Sequence, residues 1–357
     1  MTFNVKNYLP DFTSEEDVKK SFRNNLRDYF KCRHVSIVSN GTAAIEVAFK
    51  ALGLKRGTGV IVPDISFIAT ATAVANCGLL PVYADVSEQY FGLTLETVKA
   101  KYTEEIGAVV LVHFAGYINR EIFEIKKFCE EKGIYLVEDC AQVFVCSING
   151  KKAGTIGDIG TFSLQTSKIV NCGEGGIITT DSEELGRKIE SISNWGLYIS
   201  EEDRDLSLPS SNYRLSAYQC YFAQKQLDML EEIIDERLNR ISEFEELCQK
   251  YSLETANPPK QPNIVDCPFF FVLKNATKIH TLAPVGEYPM RNSVLVRSIL
   301  SFNPDLLEKY IRLNGDIHSE RASDRLIKQN DFINIHQSYA TSCEEMLEKY
   351  KQIEYAI

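Results

Sequence analysis

The stretch Val35-Ser36-Ile37-Val38-Ser39-Asn40-Gly41-Thr42-Ala43-Ala44 decides how the rest of the chain is read. A short run rich in β-branched residues gives way to a polar turn with a glycine, and helical spacing then continues over 42–52. The same order of run, turn and helix repeats to about Asp181, the pattern of a parallel sheet with covering helices. Strands are expected at 35–39, 60–63, 80–85, 108–113 and 134–138, each near-continuously apolar as befits strands buried on both faces. Helices are expected at 68–77 and 120–131, and two further short runs at 160–164 and 176–180 complete a mostly parallel seven-stranded sheet.

Downstream, 216–251 is a long amphipathic stretch, read as one helix leaving the large domain. After Asn257-Pro258-Pro259 one strand stands out at 268–273, among mixed helical segments. The expected architecture is α/β, with a large domain over 1–235 and a smaller C-terminal α+β domain over 236–357. A length of 357 residues agrees with two domains at roughly 150 residues each.

Thirty-nine Lys and Arg against 49 Asp and Glu leave a net charge of -10, opposite in sign to the usual binder of a phosphate backbone, so no nucleic-acid partner is expected. Met1 to Lys20 lacks the apolar core of a leader, and no stretch reaches membrane-spanning length. A soluble, cytoplasmic protein is the expectation. The 10 cysteines show no Cys-x-x-Cys spacing, and His34, His113, His280, His318 and His336 are dispersed, so free thiols and no metal site are expected.

Three motifs carry chemistry. Ser39 to Ala44 brings a glycine, a hydroxyl and the open amides of a first helical turn to one strand end, a cradle for an anion such as phosphate. A well-capped helix explains the same residues equally well. In Leu136-Val137-Glu138-Asp139-Cys140-Ala141-Gln142 two carboxylates end an apolar strand at the edge where open α/β sheets bind ligands, with a helix cap as the competing reading. In Phe162-Ser163-Leu164-Gln165-Thr166-Ser167-Lys168, followed by Asn171-Cys172-Gly173-Glu174-Gly175-Gly176, a loop lysine lies between apolar segments where desolvation would lower its pKa, as a Schiff-base lysine requires. Alone, such a lysine reads as a solvated charge. Together, cradle, carboxylate and lysine match the phosphate, ring nitrogen and aldehyde of pyridoxal 5'-phosphate.

These motifs, with Val62-Pro63-Asp64-Ile65-Ser66-Phe67-Ile68-Ala69-Thr70, resemble the DegT/StrS-type sugar aminotransferases over roughly residues 15 to 235. The resemblance implies a fold-type I, pyridoxal-phosphate-dependent homodimer. It implies that Lys168 is the Schiff-base and proton-shuttling residue and that Asp139 pairs with the ring nitrogen. Phe67 would stack on the ring and Gln142 would support its other polar edge, while Thr42, Ala43 and Ser163 would bind phosphate. Asn212, in Ser211-Asn212-Tyr213-Arg214, would reach the phosphate of the neighbouring subunit. Phe67 as a core side chain and Asn212 as a helix cap remain the competing readings.

The resemblance further implies a ping-pong amino transfer, with glutamate the expected donor and a nucleotide-activated keto-sugar of surface-polysaccharide or deoxyamino-sugar synthesis the expected acceptor. Dehydratases on the same fold carry histidine at the lysine position, so Lys168 points to transamination. The chain lacks a counterpart to the family's His-Leu-Gln-Pro-like segment, has Trp195-Gly196 where relatives often have His-Gly, and has a short N-terminal arm. A phosphorylated ketose or keto-cyclitol is therefore the alternative acceptor, and a regulator that binds cofactor without turnover is the alternative class. His113 and Tyr117, after the 108–113 strand, are candidates to line the acceptor site, with a histidine packed at a strand end the competing reading.

Overall fold

A computed structural model describes residues 14–197, 206–250 and 252–274, with short pieces at 290–291, 309, 312–313 and 330–334. Helix α1 (Glu15–Phe30) starts on Ser14, whose hydroxyl accepts from the Asp17 amide, and carries three acids in its first turn, where the helix dipole favours them. Its buried residues Phe22, Leu26 and Phe30 recur at a spacing of four and form one face.

The strands and helices that follow alternate as the repeating pattern requires. Strand β1 (His34–Val38) leads into α2 (Gly41–Leu52), and β2 (Gly59–Pro63) with the short β3 (Ile65–Ser66) leads into α3 (Ile68–Asn76). Next come β4 (Leu80–Ala84), α4 (Leu95–Lys101), β5 (Ile106–Val112), α5 (Ile122–Lys132) and β6 (Tyr135–Asp139). A hairpin of β7 (Ser147–Ile148) and β8 (Lys151–Lys152) precedes β9 (Ile159–Ser163), β10 (Gly176–Thr180) and α6 (Glu183–Ser193).

Seven strands join in the order β4-β2-β5-β6-β9-β10-β1. Pairings from β4 to β9 are parallel, and β10 alone runs against its neighbours. The parallel strands are buried almost throughout, so each must be apolar on both faces, and two hydrophobic clusters fill the space between sheet and helices on its two sides. No helix among the described residues is long and apolar enough to cross a membrane.

The single helix expected over 216–251 is corrected to two: α7 (Ala217–Asp228) and α8 (Leu230–Lys250). Met229 ends α7 at φ -104° and ψ 16°, outside helical geometry, and its amide donates to Gln226 O and Leu227 O. Helix α7 buries Ala217, Cys220 and Ala223 on the side of α1, whereas α8 carries Phe244 to the ring of Phe271, stacked at 5.4 Å. Beyond α8, β11 (Ile264–Val265) pairs with β7, β12 (Phe270–Lys274) with β14 (Asn330–Asn334), and β13 (Met290–Arg291) with β3. His280, His318, His336 and most of the expected small domain lie outside the described residues. Described cysteines are all free.

Candidate active site

Strands β1, β2, β5, β6 and β9 point their carboxyl ends at one edge of the sheet, and a cavity of about 720 Å3 opens there. That is where an open α/β sheet leaves a crevice between diverging loops. The structure brings Thr42, Ala43, Phe67, Asp139, Gln142, Ser163, Lys168 and Asn212 together on its walls, although they span some 170 positions of sequence.

The anion cradle forms where α2 meets the end of β9. Asn40 caps α2 through its Oδ1, which accepts from the Ala43 amide at 2.8 Å. The Ala43 amide is therefore committed to the cap, and among the described residues the amides of Gly41 and Thr42 are the ones left for a ligand. The Ser163 hydroxyl stands beside them: a Cβ added at Gly41 would lie 2.8 Å from Ser163 Cβ and 3.1 Å from its Oγ. Gly41→Ala is expected to lower the unfolding free energy by about 1–3 kcal/mol through overpacking, read from the urea midpoint. An unchanged midpoint would mean that helix and strand do not meet so tightly.

Asp139 ends β6 in a buried position. Its Oδ2 accepts from Thr70 Oγ1 at 2.7 Å and its Oδ1 from the Ala141 amide at 3.1 Å, so donors on two sides fix the plane of the carboxylate. Gln142 Oε1 accepts from the Ala115 amide at 2.6 Å, which leaves the side-chain NH2 as its donor toward the cavity. Phe67 caps no amide and stands 49 % exposed at the start of α3, an aromatic face presented to the cavity instead of the core.

Lys168 sits in the loop between β9 and β10, which is tied across itself by Leu164 N to Gly175 O at 2.7 Å and Thr166 N to Gly173 O at 3.1 Å. Burial lowers the Lys168 pKa to about 8, against the opposing charge of Asp139, with Arg237 lowering it further and Glu174 opposing. The amine lies 4.7 Å from the centroid of the Phe269 ring. A lysine so placed carries a usable fraction of neutral, nucleophilic amine near neutral pH.

His113 and Tyr117, the candidates for the acceptor side, are not among the lining residues of this cavity. His113 is fully buried. Its Nδ1 accepts from the Asn119 amide at 3.0 Å, so Nε2 carries the hydrogen and donates to Glu138 Oε2 at 2.9 Å. Glu138 also accepts from the amides of Gly154, Ile156 and Gly157. Burial pushes its pKa up, but the His113 contact and the amides of Gly157 and Gly154 outweigh it and hold the carboxyl below the ordinary range. Glu138, His113 and Cys140 lie close enough to bracket a metal ion, but the carboxylate is already saturated by hydrogen-bond donors. Tyr117 is buried edge-on to Phe91 at 6.1 Å, and burial pushes its phenol far up. Asn212 is exposed on the rim, where its Oδ1 accepts from Arg214 Nε at 3.1 Å.

Thr70, Phe269, Phe270 and Glu174 also line the cavity and carried no assigned role in the sequence. Thr70 lies within the quoted 62–70 motif, and Phe269 and Phe270 fall in the run read only as a strand.

The chain matches the profile of the DegT/DnrJ/EryC1/StrS aminotransferase family over residues 8–283. It is 32% identical over 240 residues to a GDP-perosamine synthase of Vibrio cholerae, covering 67% of this chain and 63% of the relative. It is 33% identical over 200 residues to an L-glutamine:2-deoxy-scyllo-inosose aminotransferase of Streptomyces kanamyceticus, covering 56% of this chain and 46% of the relative. The chain thus spans less than two thirds of either relative's length. Among solved structures, an aminotransferase from Psychrobacter cryohalolentis superposes with a TM-score of 0.78 at 21% identity, over 98% of both chains, a likeness of fold.

Proposed function

This chain belongs to the DegT/DnrJ/EryC1/StrS aminotransferase family, and from that premise we propose that it is a pyridoxal-phosphate-dependent aminotransferase acting on a nucleotide-activated keto-sugar, with glutamate as amino donor. The observation that carries the reading is the convergence, on one cavity, of an anion cradle, an exposed aromatic face, a fixed carboxylate and a desolvated lysine. The residues fit the group: Gly41 leaves room where a side chain would collide with Ser163, and the α2 amides beside it are those the helix itself cannot use.

When bound, pyridoxal phosphate supplies an electron sink for negative charge developing at the substrate carbon. The amides of Gly41 and Thr42, with the hydroxyls of Thr42 and Ser163, hold the phosphate at the positive end of α2. The ring of Phe67 orients the cofactor by its face, and Gln142 donates its NH2 to the polar edge. Asp139, its plane fixed by Thr70 and Ala141, keeps the proton on the ring nitrogen. Lys168 Nζ would hold the cofactor through its aldehyde and, when free of it, would take and return a proton at the substrate carbon as general base and acid. Because the amine must be neutral to react, capture of pyridoxal phosphate by the cofactor-free protein is expected to accelerate as pH rises through about 8. Stopped-flow absorbance at a series of pH values reads this, and a flat profile would contradict it.

The acceptor proposal draws on the GDP-perosamine synthase likeness. The 2-deoxy-scyllo-inosose aminotransferase likeness favours a keto-cyclitol as second reading. We extend the proposal to a cytoplasmic homodimer in which Asn212, exposed on the rim, serves the partner's phosphate, and to a large domain over 1–235 and a small one over 236–357, a boundary that falls within α8. The deciding experiment charges the protein with pyridoxamine phosphate and offers nucleotide keto-sugars beside keto-cyclitols. Return of the visible absorbance with a nucleotide keto-sugar supports the first reading, and return with the cyclitol alone supports the second. A protein whose cofactor spectrum glutamate and every ketone leave unchanged would be a binder without turnover.

A further inference from the structure

Arginine is seldom fully buried, and Arg237 of α8 is. Its Nε donates to Pro268 O at 2.9 Å and its Nη2 to Phe269 O at 3.3 Å, and the Cys267 sulfur also lies within hydrogen-bonding reach of the guanidinium. One planar fork therefore grips three successive residues. The far side of that segment is tied by Cys267 N to Gly116 O at 3.2 Å and Phe269 N to Ala115 O at 2.8 Å. The contact with Gly116 is so close that any side chain there would run into the backbone of Cys267 and Phe269. Ala115 in turn donates to Gln142, so the segment is braced between α8 and the cavity wall.

Held in this way, the Phe269 ring has two cations near its centroid: Arg237 Cζ at 5.6 Å and Lys168 Nζ at 4.7 Å. We propose that Arg237 is a positioning residue for the amine of Lys168, clamping the 267–269 segment so that the Phe269 ring closes over the amine and keeps water from it. Among the described residues, the charged groups facing that amine are Asp139 from β6, Glu174 from the glycine loop and Arg237 from α8. Of these, Arg237 alone both contributes its own positive charge and fixes the apolar cover. Removing it is expected to act doubly in one direction, since water returns to the amine and a neighbouring cation is lost.

The inference rests on the reading of Lys168 as the cofactor-bearing lysine, but its test needs no cofactor. In cofactor-free protein, the rate at which an amine acylating reagent modifies Lys168 is followed against pH by peptide mass spectrometry. The wild-type midpoint is expected near 8. Arg237→Met, of similar length and no charge, is expected to raise that midpoint by about one pH unit or more. Arg237→Lys, which keeps a cation without the fork, should give a smaller rise, and Phe269→Ala a rise despite an intact Arg237. Should Arg237→Met fail to fold, judged by circular dichroism, Phe269→Ala and Arg237→Lys decide. Midpoints unmoved in folded variants would overturn the proposal, as would a wild-type midpoint at the ordinary lysine value of 10.5. Failure of the functional reading is separate: it shows as cofactor bound elsewhere than Lys168, while the titration stands unchanged.

Discussion

Lys168→Ala loses the visible absorbance of lysine-bound cofactor and at least about a thousandfold in turnover, the scale of a general acid-base group that is also the covalent anchor. The loss is expected in catalysis and not in folding. The main-chain ties that shape the loop, Lys168 N to Gln165 O at 2.8 Å and Asn171 Nδ2 to Lys168 O at 3.2 Å, survive the change. The anion cradle, Asp139 and Phe67 also remain, so the protein should still bind pyridoxal phosphate without a covalent bond. Lys168→Arg makes the complementary test. It keeps the positive charge yet never offers a free base, and is expected to be as inactive as alanine. Turnover near wild type in either variant, measured as amino transfer from glutamate, would mean that another group moves the proton.

Asp139→Asn should cost about a hundredfold or more in turnover, because it removes the one negative charge fixed at the cavity edge of β6 while leaving the shape. The substitution is well tolerated by its surroundings. An asparagine can keep its carbonyl on the Ala141 amide, and the Thr70 hydroxyl can rotate to accept from the new NH2. The change also carries a signature on the lysine. The Asp139 charge raises the Lys168 pKa against the effect of burial, so its loss is expected to move the Lys168 midpoint down from about 8. Turnover and amine pKa thus fall together, whereas Arg237→Met moves the pKa up. An Asp139→Asn protein with wild-type turnover would show that the ring nitrogen needs no carboxylate.

Much of this architecture was legible because buried parallel strands leave little choice of residue. The runs at 60–63, 80–85 and 134–138 correspond to β2 (Gly59–Pro63), β4 (Leu80–Ala84) and β6 (Tyr135–Asp139), within a residue or two at either end. Strand direction is not written in such runs, so nothing in Gly176–Thr180 announces that β10 runs against its neighbours. The break at Met229 is equally silent, since methionine is an ordinary helix former and only the backbone at that residue departs from the helix. For the cavity, Asp139 and the Ser39–Thr42 turn were visible because each sits where a strand ends and a loop begins, and Lys168 because it stands in a loop between apolar runs, ahead of a glycine cluster.

His113 occupies the same kind of position, directly after β5, yet its ring turns inward to Glu138. A strand end does not specify which way the next side chain points. Thr70, Phe269 and Arg237 were hidden for another reason. Their roles come from contacts across many tens of residues, and an arginine in an amphipathic helix reads as a solvent-facing charge until the chain that folds over it is known.

The most direct measurement soaks the purified protein in pyridoxal phosphate, reduces it with borohydride and maps the modified peptide by mass spectrometry. A single cofactor-sized mass on the Lys168 side chain, absent from Lys168→Ala, is the predicted result. A label on another lysine, or none on protein that has bound the cofactor, would contradict the account.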